Sequence, residues 1–245
     1  MRIEITIPAL NEESTLKKNV EIVLAFFEEF EKKNNIKASL SIADNGSTDK
    51  TEQIARSLVE LHKEKIRYIK IPQRGIGISL KTSWLSSQAD IVGYMDLDLA
   101  TDLNHLNDVI IAISNGADIA CGTRLVKKSK VIGRTLIREI VSRAFNFILK
   151  LLLNVKFSDG MCGFKFMTRE ISKKLIDTGV MNDSWFFGTE ILLIAQWFNL
   201  KIVEIPVNWT DTPATKVKIF PLSILYIRRM FELRKIRKDF IKMNK

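Results

Sequence analysis

With 245 residues, 46% of them hydrophobic and 27% charged, the chain is long enough for one large domain with a sizeable core and too apolar for wholesale disorder. Two cysteines exclude a disulfide framework, and no apolar run reaches the roughly 18 to 20 residues of a spanning helix. The net charge of +10 is uneven: eight basic residues stand against one acid between Arg124 and Lys150, and ten against two between Lys216 and Lys245.

The opening, MRIEITIPALNEE, reads as a strand running into a loop and has no export signal, so a reducing cytosol is the expected location. Five apolar, β-branched runs of strand length follow one another: IEITIP, SLSIAD, IRYIKI, DIVGYMD and ADIACG. Helical stretches lie between them, at about Glu12–Lys33, Asp49–His62, Ile78–Ser87 and Leu103–Ser114. Such alternation predicts parallel crossovers and an open α/β sheet with helices on both faces. Ligands bind such sheets beyond the carboxyl ends of the strands. The polar signals fall there: Pro8–Glu12, Asp44–Asp49, Gly75 with Gly77, and Asp96–Asp98.

After Gly133 the pattern changes. A helix over Ile137–Leu153 sets Arg138, Ser142 and Asn146 on one stripe, with Ile, Leu, Val and Phe over most of the remaining arc. A second amphipathic helix, Leu222–Phe240, sets six Arg and Lys residues against Leu225, Met230, Phe231, Leu233 and Ile236. Either helix alone is equally well read as packed on the core with a solvated outer face. Basic residues interleaved with large aliphatics, twice in one chain, fit an anionic membrane surface better than nucleic acid, which is not an expected partner. The expected organisation is a catalytic domain over residues 1–220, containing an interface helix at about 134–153, and a basic amphipathic helix over 221–245.

Asp96-Leu97-Asp98 closes the fourth strand, where alternation would put both carboxylates on one face. Two hard oxygen ligands on one edge suit Mg²⁺ or Mn²⁺, completed by diphosphate oxygens and water. An Asp-x-Asp alone is more often a pair of loop or cap carboxylates; its place at a strand end of an alternating pattern reverses that preference. In Asp44–Asp49, Ser47 or Thr48 would cap the next helix and Asp49 would favour its dipole, while Asp44 is reserved for the base or ribose of a nucleotide. Gly75 and Gly77 allow close backbone approach to a ligand. His62 and His105 read as exposed helix residues.

IPALNEE, ADNGSTDKT, the Gly-x-Gly segment and DLDLAT, followed by CGTR, Arg138 with Ser142, DGMCGFKFMTR, WFFGTE and EIPVNW, resemble family 2 glycosyltransferases of the GT-A fold, a Rossmann-like open mixed sheet. The whole set is similar to polyprenyl-phosphate glycosyltransferases, closer to dolichyl-phosphate glucosyltransferases than to the mannose synthases, which usually carry Gln where this chain has Ala100. The resemblance spans nearly residues 1 to 220. It implies that Pro8, Asn11, Glu12, Asp44 and Gly77 bind the nucleotide sugar, a UDP-hexose rather than a GDP-hexose. It also implies that Asp96 and Asp98 hold the metal and diphosphate, that Arg124, Arg138 and Ser142 hold a lipid phosphate, and that Lys216 closes over the donor. The catalytic set would be Asp98, Arg124 and Arg138. Three departures stand out: Asn45 for a common second Asp, Gly188 for an acidic residue, and Ala214-Thr215-Lys216 for Gly-Ser-Lys.

The implied activity is inverting transfer of a hexose, glucose from UDP-glucose, to a polyprenyl phosphate, by a protein peripheral on the cytoplasmic face of a membrane. A phosphate acceptor, with its second pKa of about 6, needs no general base. Two other functions remain in play. Transfer to a sugar hydroxyl would call on Asp159 or Glu190 as base, although a turn and a helix start explain those residues equally. A non-enzymatic membrane or nucleic-acid adaptor would use the basic helices alone.

Overall fold

A computed structural model describes residues 1–179, 181–211 and 219–243. Seven strands form one sheet: β1 (Arg2–Ala9), β2 (Lys37–Asn45), β3 (Ile66–Ile71), β4 (Ile91–Met95), β5 (Ile119–Thr123), β7 (Phe164–Thr168) and β8 (Ile202–Pro206), in the order β3-β2-β1-β4-β7-β5-β8. Every pairing is parallel except those of β7, which runs antiparallel to both β4 and β5. A two-stranded parallel ribbon, β6 (Lys130–Ile132) with β9 (Asn208–Thr210), lies beyond it. The expected α/β class and mixed sheet hold.

The helices are α1 (Leu16–Asn34), α2 (Thr51–Leu61), α3 (Ile76–Ser86), α4 (His105–Ser114), α5 (Leu136–Leu153), α6 (Arg169–Ile176), α7 (Phe187–Trp197) and α8 (Ile219–Met243). They divide between the two faces of the sheet, each covering its own cluster. Ile3, Ile5, Ile7, Leu40 and Phe164 meet Phe27, Phe30, Leu58 and Leu106 of α1, α2 and α4. Val92, Tyr94 and Met167 meet Trp84, Leu149, Phe187, Met230 and Leu233 of α3, α5, α7 and α8. Strand alternation produces the division, as Phe164 and Phe166 of β7 face one cluster and Met167 the other. The side chains that fill these clusters are fully or nearly fully buried, the main favourable term for such a fold.

Two expected boundaries move. α1 starts at Leu16 rather than Glu12; Asn11 and Glu12 lie in the preceding loop and give their N–H groups to Ser47 Oγ and to Thr51 Oγ1 at the start of α2. α2 is not capped by Ser47 or Thr48, which serve Asn11; Asp49 Oδ1 accepts the Thr51 N–H (2.9 Å) instead. At the other end of the chain, α8 is no detached appendage. Tyr226, Met230, Leu233 and Phe240 are buried in the second cluster, and Arg229 Nε donates to the fully buried Glu190 (2.5 Å).

Candidate active site

The loops after β1 and β2 form the first part of the rim and hydrogen-bond to each other. Asn11, at φ 53°, donates its N–H to Ser47 Oγ (3.0 Å) and accepts at Oδ1 from the Thr48 N–H (2.8 Å). Asp44 lies opposite Ala9 in the ladder, beside Pro8, and its buried carboxylate accepts from the Ser47 N–H (2.9 Å) and the Tyr68 hydroxyl (2.8 Å). Pro8, Asn11, Glu12 and Asp44 are thus brought together, although Asp44 already has two internal donors. Gly77 differs from expectation. It is buried, its N–H donates to Asp183 O (3.0 Å), and a Cβ there would overlap Asn182 O. The close approach that requires glycine is made by the chain itself.

β4 ends at Met95, one residue before the paired aspartates. Asp96 O accepts from the Leu99 N–H (3.3 Å), and Leu99 takes φ 53°, so a turn presents the carboxylates. Strand alternation is therefore the wrong reason for their orientation, while Leu97 turns into the core as expected. Asp98 is exposed, with Oδ1 accepting from the Ala100 N–H (3.1 Å). Burial, and then the charge of Asp98, push the Asp96 carboxyl up to about 7 against the pull of Arg124 and Lys165. A half-buried carboxyl and an exposed one two residues apart form a donor set fitted to a hard divalent cation. Among the described residues, no group of three or more His, Cys, Asp or Glu side chains could hold a metal ion. Ala100 is buried, its carbonyl accepting from the Thr210 N–H (2.8 Å).

Arg124 follows β5 directly. Its Nε donates to Asp159 Oδ2 (2.7 Å), its Nη2 to Asp159 Oδ1 (3.0 Å) and its backbone N–H to Oδ2 (3.1 Å). The guanidinium also stacks on the Trp209 ring at 4.7 Å. Trp209 Nε1 donates to Asp211 Oδ1 (2.9 Å), and Asp211 in turn faces Arg134 Nε (2.9 Å) and Arg138 Nη1 (3.6 Å). A β-bridge from Trp209 to Thr101 ties this chain of contacts to the segment that follows Asp98. Asp96, Asp98, Arg124 and Arg138 therefore occupy one neighbourhood. Asp159 is fully buried and, despite its burial, Arg124 holds its carboxyl below the usual range.

A sequence model of Glycosyl transferase family 2 matches residues 4–176. The chain belongs to that family. It is 32% identical over 241 residues to a dolichyl-phosphate beta-glucosyltransferase of Dictyostelium discoideum, covering 95% of this chain and 73% of the relative. The human protein of the same name is 28% identical over 229 residues, with 89% and 70% covered. A solved glucosyl-3-phosphoglycerate synthase of Mycobacterium tuberculosis, in complex with Mn²⁺, UDP-glucose and phosphoglyceric acid, aligns with a TM-score of 0.61 at 20% identity, covering 91% of this chain and 74% of that one. The fold is GT-A and the chain is a glycosyltransferase, similar to the dolichyl-phosphate glucosyltransferases.

Several features of this glycosyltransferase were not legible as site residues in its sequence. Arg134, Trp209 and Asp211 join the arginine cluster, and Asp159 and Glu190, candidate bases on paper, are buried partners of Arg124 and Arg229. The residues CGTR, DG and VNWTD supply the local hints, since every contact but that of Trp209 with Asp211 spans tens of positions. Asn45 is turned to the Gly75 N–H (2.7 Å), which gives the Asn its own structural use. Gly188 packs against Tyr94, whose hydroxyl a Cβ would overlap. Lys216 and the Ala214-Thr215-Lys216 loop lie outside the described residues.

The polar stripe of α5 faces inward: Arg138 and Ser142 are half-buried, and buried Asn146 accepts at Oδ1 from the Gly160 N–H (2.9 Å). Its outward face is the apolar one, with Leu136, Ile137, Ile140, Phe147 and Leu151 between 58% and 76% exposed. Leu225, Ile227 and Phe231 of α8 are exposed as well. An ordinary solvated outer face would show the reverse pattern.

Proposed function

We propose that the protein transfers glucose from UDP-glucose to a polyprenyl phosphate of the dolichyl type, inverting the anomeric carbon, while bound to the cytoplasmic face of a membrane. The carrying observation is the fate of the two candidate bases. Asp159 and Glu190 are buried and committed to arginines, so the rim offers guanidinium groups where a hydroxyl acceptor would need a base. A phosphate monoester is already ionised near neutral pH and asks only for positioning and charge compensation.

In this reading, Pro8, Asn11, Glu12 and Asp44 seat the nucleotide, with Gly77 supporting the adjoining loop. Asp96 and Asp98 hold Mg²⁺ or Mn²⁺, which supplies charge neutralisation for the leaving diphosphate. Arg124, fixed by Asp159 and Trp209, and Arg138, next to Ser142, orient the acceptor phosphate for in-line attack. Lys216 is assigned to the donor diphosphate by its match to the family loop alone. The catalytic unit spans residues 1–220 with α8 packed into its second cluster, and the exposed apolar residues of α5 and α8 are its membrane-facing parts. No helix of the described residues is long and apolar enough to cross a membrane. An outward apolar face beside basic side chains suits an interfacial position, and it brings a lipid-borne phosphate to Arg138 and Ser142.

A panel of UDP- and GDP-sugars with polyprenyl phosphate and Mg²⁺ or Mn²⁺, with the lipid product identified, tests this. The expected product is a polyprenyl-phosphate glucose formed from UDP-glucose. No turnover with the lipid, together with turnover on a sugar acceptor, would overturn it.

A further inference from the structure

Lys165 is the second residue of β7 and is 0% exposed. Its ammonium donates to Gly160 O (3.2 Å) and Cys162 O, and lies 3.4 Å from the Tyr94 hydroxyl. Among the described residues, no carboxylate lies within ion-pair distance of it. A buried ammonium bonded to carbonyls and a phenol, with the Asp96 and Asp159 charges beyond ion-pair distance, is an expensive way to fill a core, so its placement calls for a cause.

The cause lies in what those two carbonyls flank. Gly160 follows Asp159, which holds Arg124 through three N–H groups. Cys162 precedes Gly163, which packs so closely on Asp96 that a Cβ would overlap the carboxylate. One ammonium therefore pins both ends of the short loop that separates the acceptor arginine's anchor from the metal-side aspartate. Thr189 Oγ1 shares the task at one end only, donating to Gly160 O (3.0 Å).

We propose that Lys165 is a positioning residue for transfer, setting the distance between the Arg124 guanidinium and the Asp96 carboxylate by clamping the backbone of residues 160–162. It touches neither substrate. The inference rests on the acceptor and metal assignments of the proposed function, but its Mn²⁺ and folding readouts do not depend on the acceptor.

The test compares Lys165→Met, which keeps length and volume without donors, with Lys165→Gln, which keeps an N–H donor. Each is assayed for its folded fraction by circular dichroism, its Mn²⁺ affinity by water-proton relaxation, and its kinetics with UDP-glucose and polyprenyl phosphate. In folded Lys165→Met, kcat/KM for the acceptor falls about 10²-fold, the usual consequence of misplacing a reacting group by about 1 Å. Mn²⁺ affinity falls about tenfold, as for the loss of an outer-shell support. Measured at saturating Mn²⁺, the KM for UDP-glucose stays unchanged, because Lys165 bonds to none of Pro8, Asn11, Glu12 and Asp44, and Lys165→Gln recovers part of both losses. Wild-type kinetics and Mn²⁺ affinity in folded Lys165→Met would overturn the proposal. So would losses fully explained by a smaller folded fraction, or an equal loss in every parameter. If Lys165→Met does not fold, Lys165→Gln carries the same comparison. Should the wild type not use polyprenyl phosphate at all, the function fails, while the Mn²⁺ and folding readouts still decide the role of Lys165.

Discussion

Replacing Asp159 by Asn separates an anchor from a base. In the native protein Oδ2 accepts from the Arg124 N–H (3.1 Å) and Nε (2.7 Å), while Oδ1 accepts from Arg124 Nη2 (3.0 Å) and the Met161 N–H (3.0 Å). Both oxygens thus face two donors, so either orientation of the amide sets an NH₂ against a pair of N–H groups. The guanidinium, 9% exposed in its side chain, is left without its counter-charge. Breaking a buried pair from one side costs about 3–5 kcal/mol. At about 2–4 °C per kcal/mol for a chain of this size, the unfolding midpoint of Asp159→Asn should fall by about 10 °C. Thermal unfolding followed by circular dichroism measures it. The pH dependence adds a sign. Arg124 depresses the folded-state pKa of Asp159, so its stabilisation is fully present above the unfolded value, about 3.9, and is lost as pH falls through the folded value. The gap between wild type and variant should therefore close in strong acid. An unchanged midpoint with activity abolished would make Asp159 the base and refute the anchor.

Asp98→Ala should lower transfer at least about 10²-fold and weaken Mn²⁺ binding, measured by water-proton relaxation with the fold intact; undiminished transfer would remove the metal role. Gly188→Ala should destabilise by about 1–3 kcal/mol, since its Cβ overlaps the Tyr94 hydroxyl, and Tyr94→Phe in the same chain should recover much of the loss in a double-mutant cycle. Arg229→Met leaves the buried Glu190 with the Asn182 N–H (2.7 Å) as its remaining side-chain hydrogen bond among the described residues, so the unfolding midpoint should drop with α8 loosened, seen as faster amide exchange over residues 225–237. Phe147→Glu with Leu151→Glu, at positions 66% and 71% exposed, should leave the fold unchanged and abolish sedimentation with anionic liposomes at low salt.

Most of the architecture was legible because it is written in local periodicities. The first five strands and four helices appear where apolar alternation and helical spacing place them, to within a few residues. Asp96 and Asp98 could be singled out from their place just past a strand of that pattern, whereas Arg124 and the role of Arg138 came from resemblance to a family's motifs. What escaped was set by contacts between distant positions. Arg134 gains its place from Asp211, 77 residues away, and nothing in GRT signals that partner. The turn at Asp96–Leu99 depends on a leucine in a left-handed conformation, which sequence pattern does not favour. The apolar outer face of α5 reads the same whether it packs inward or outward; only the position of Asn146 on the Gly160 N–H decides its orientation.

The antiparallel strand explains why the metal and arginine sides of the rim meet at all. In a purely parallel sheet, only loops that leave strands reach the carboxyl edge. β7 runs the other way between β4 and β5, with Phe164 opposite Met95 and Lys165 opposite Cys121. The loop that enters β7 therefore arrives at the same edge, between the Asp96 turn and Arg124. That loop carries Asp159 to the arginine and Gly163 to the aspartate. A parallel strand in this position would deliver its entry loop to the opposite edge and leave Arg124 without a buried counter-charge. Reversal of a single strand thus brings the ends of the two strands that flank it together through one loop, and Lys165, the second residue of that strand, lies between them.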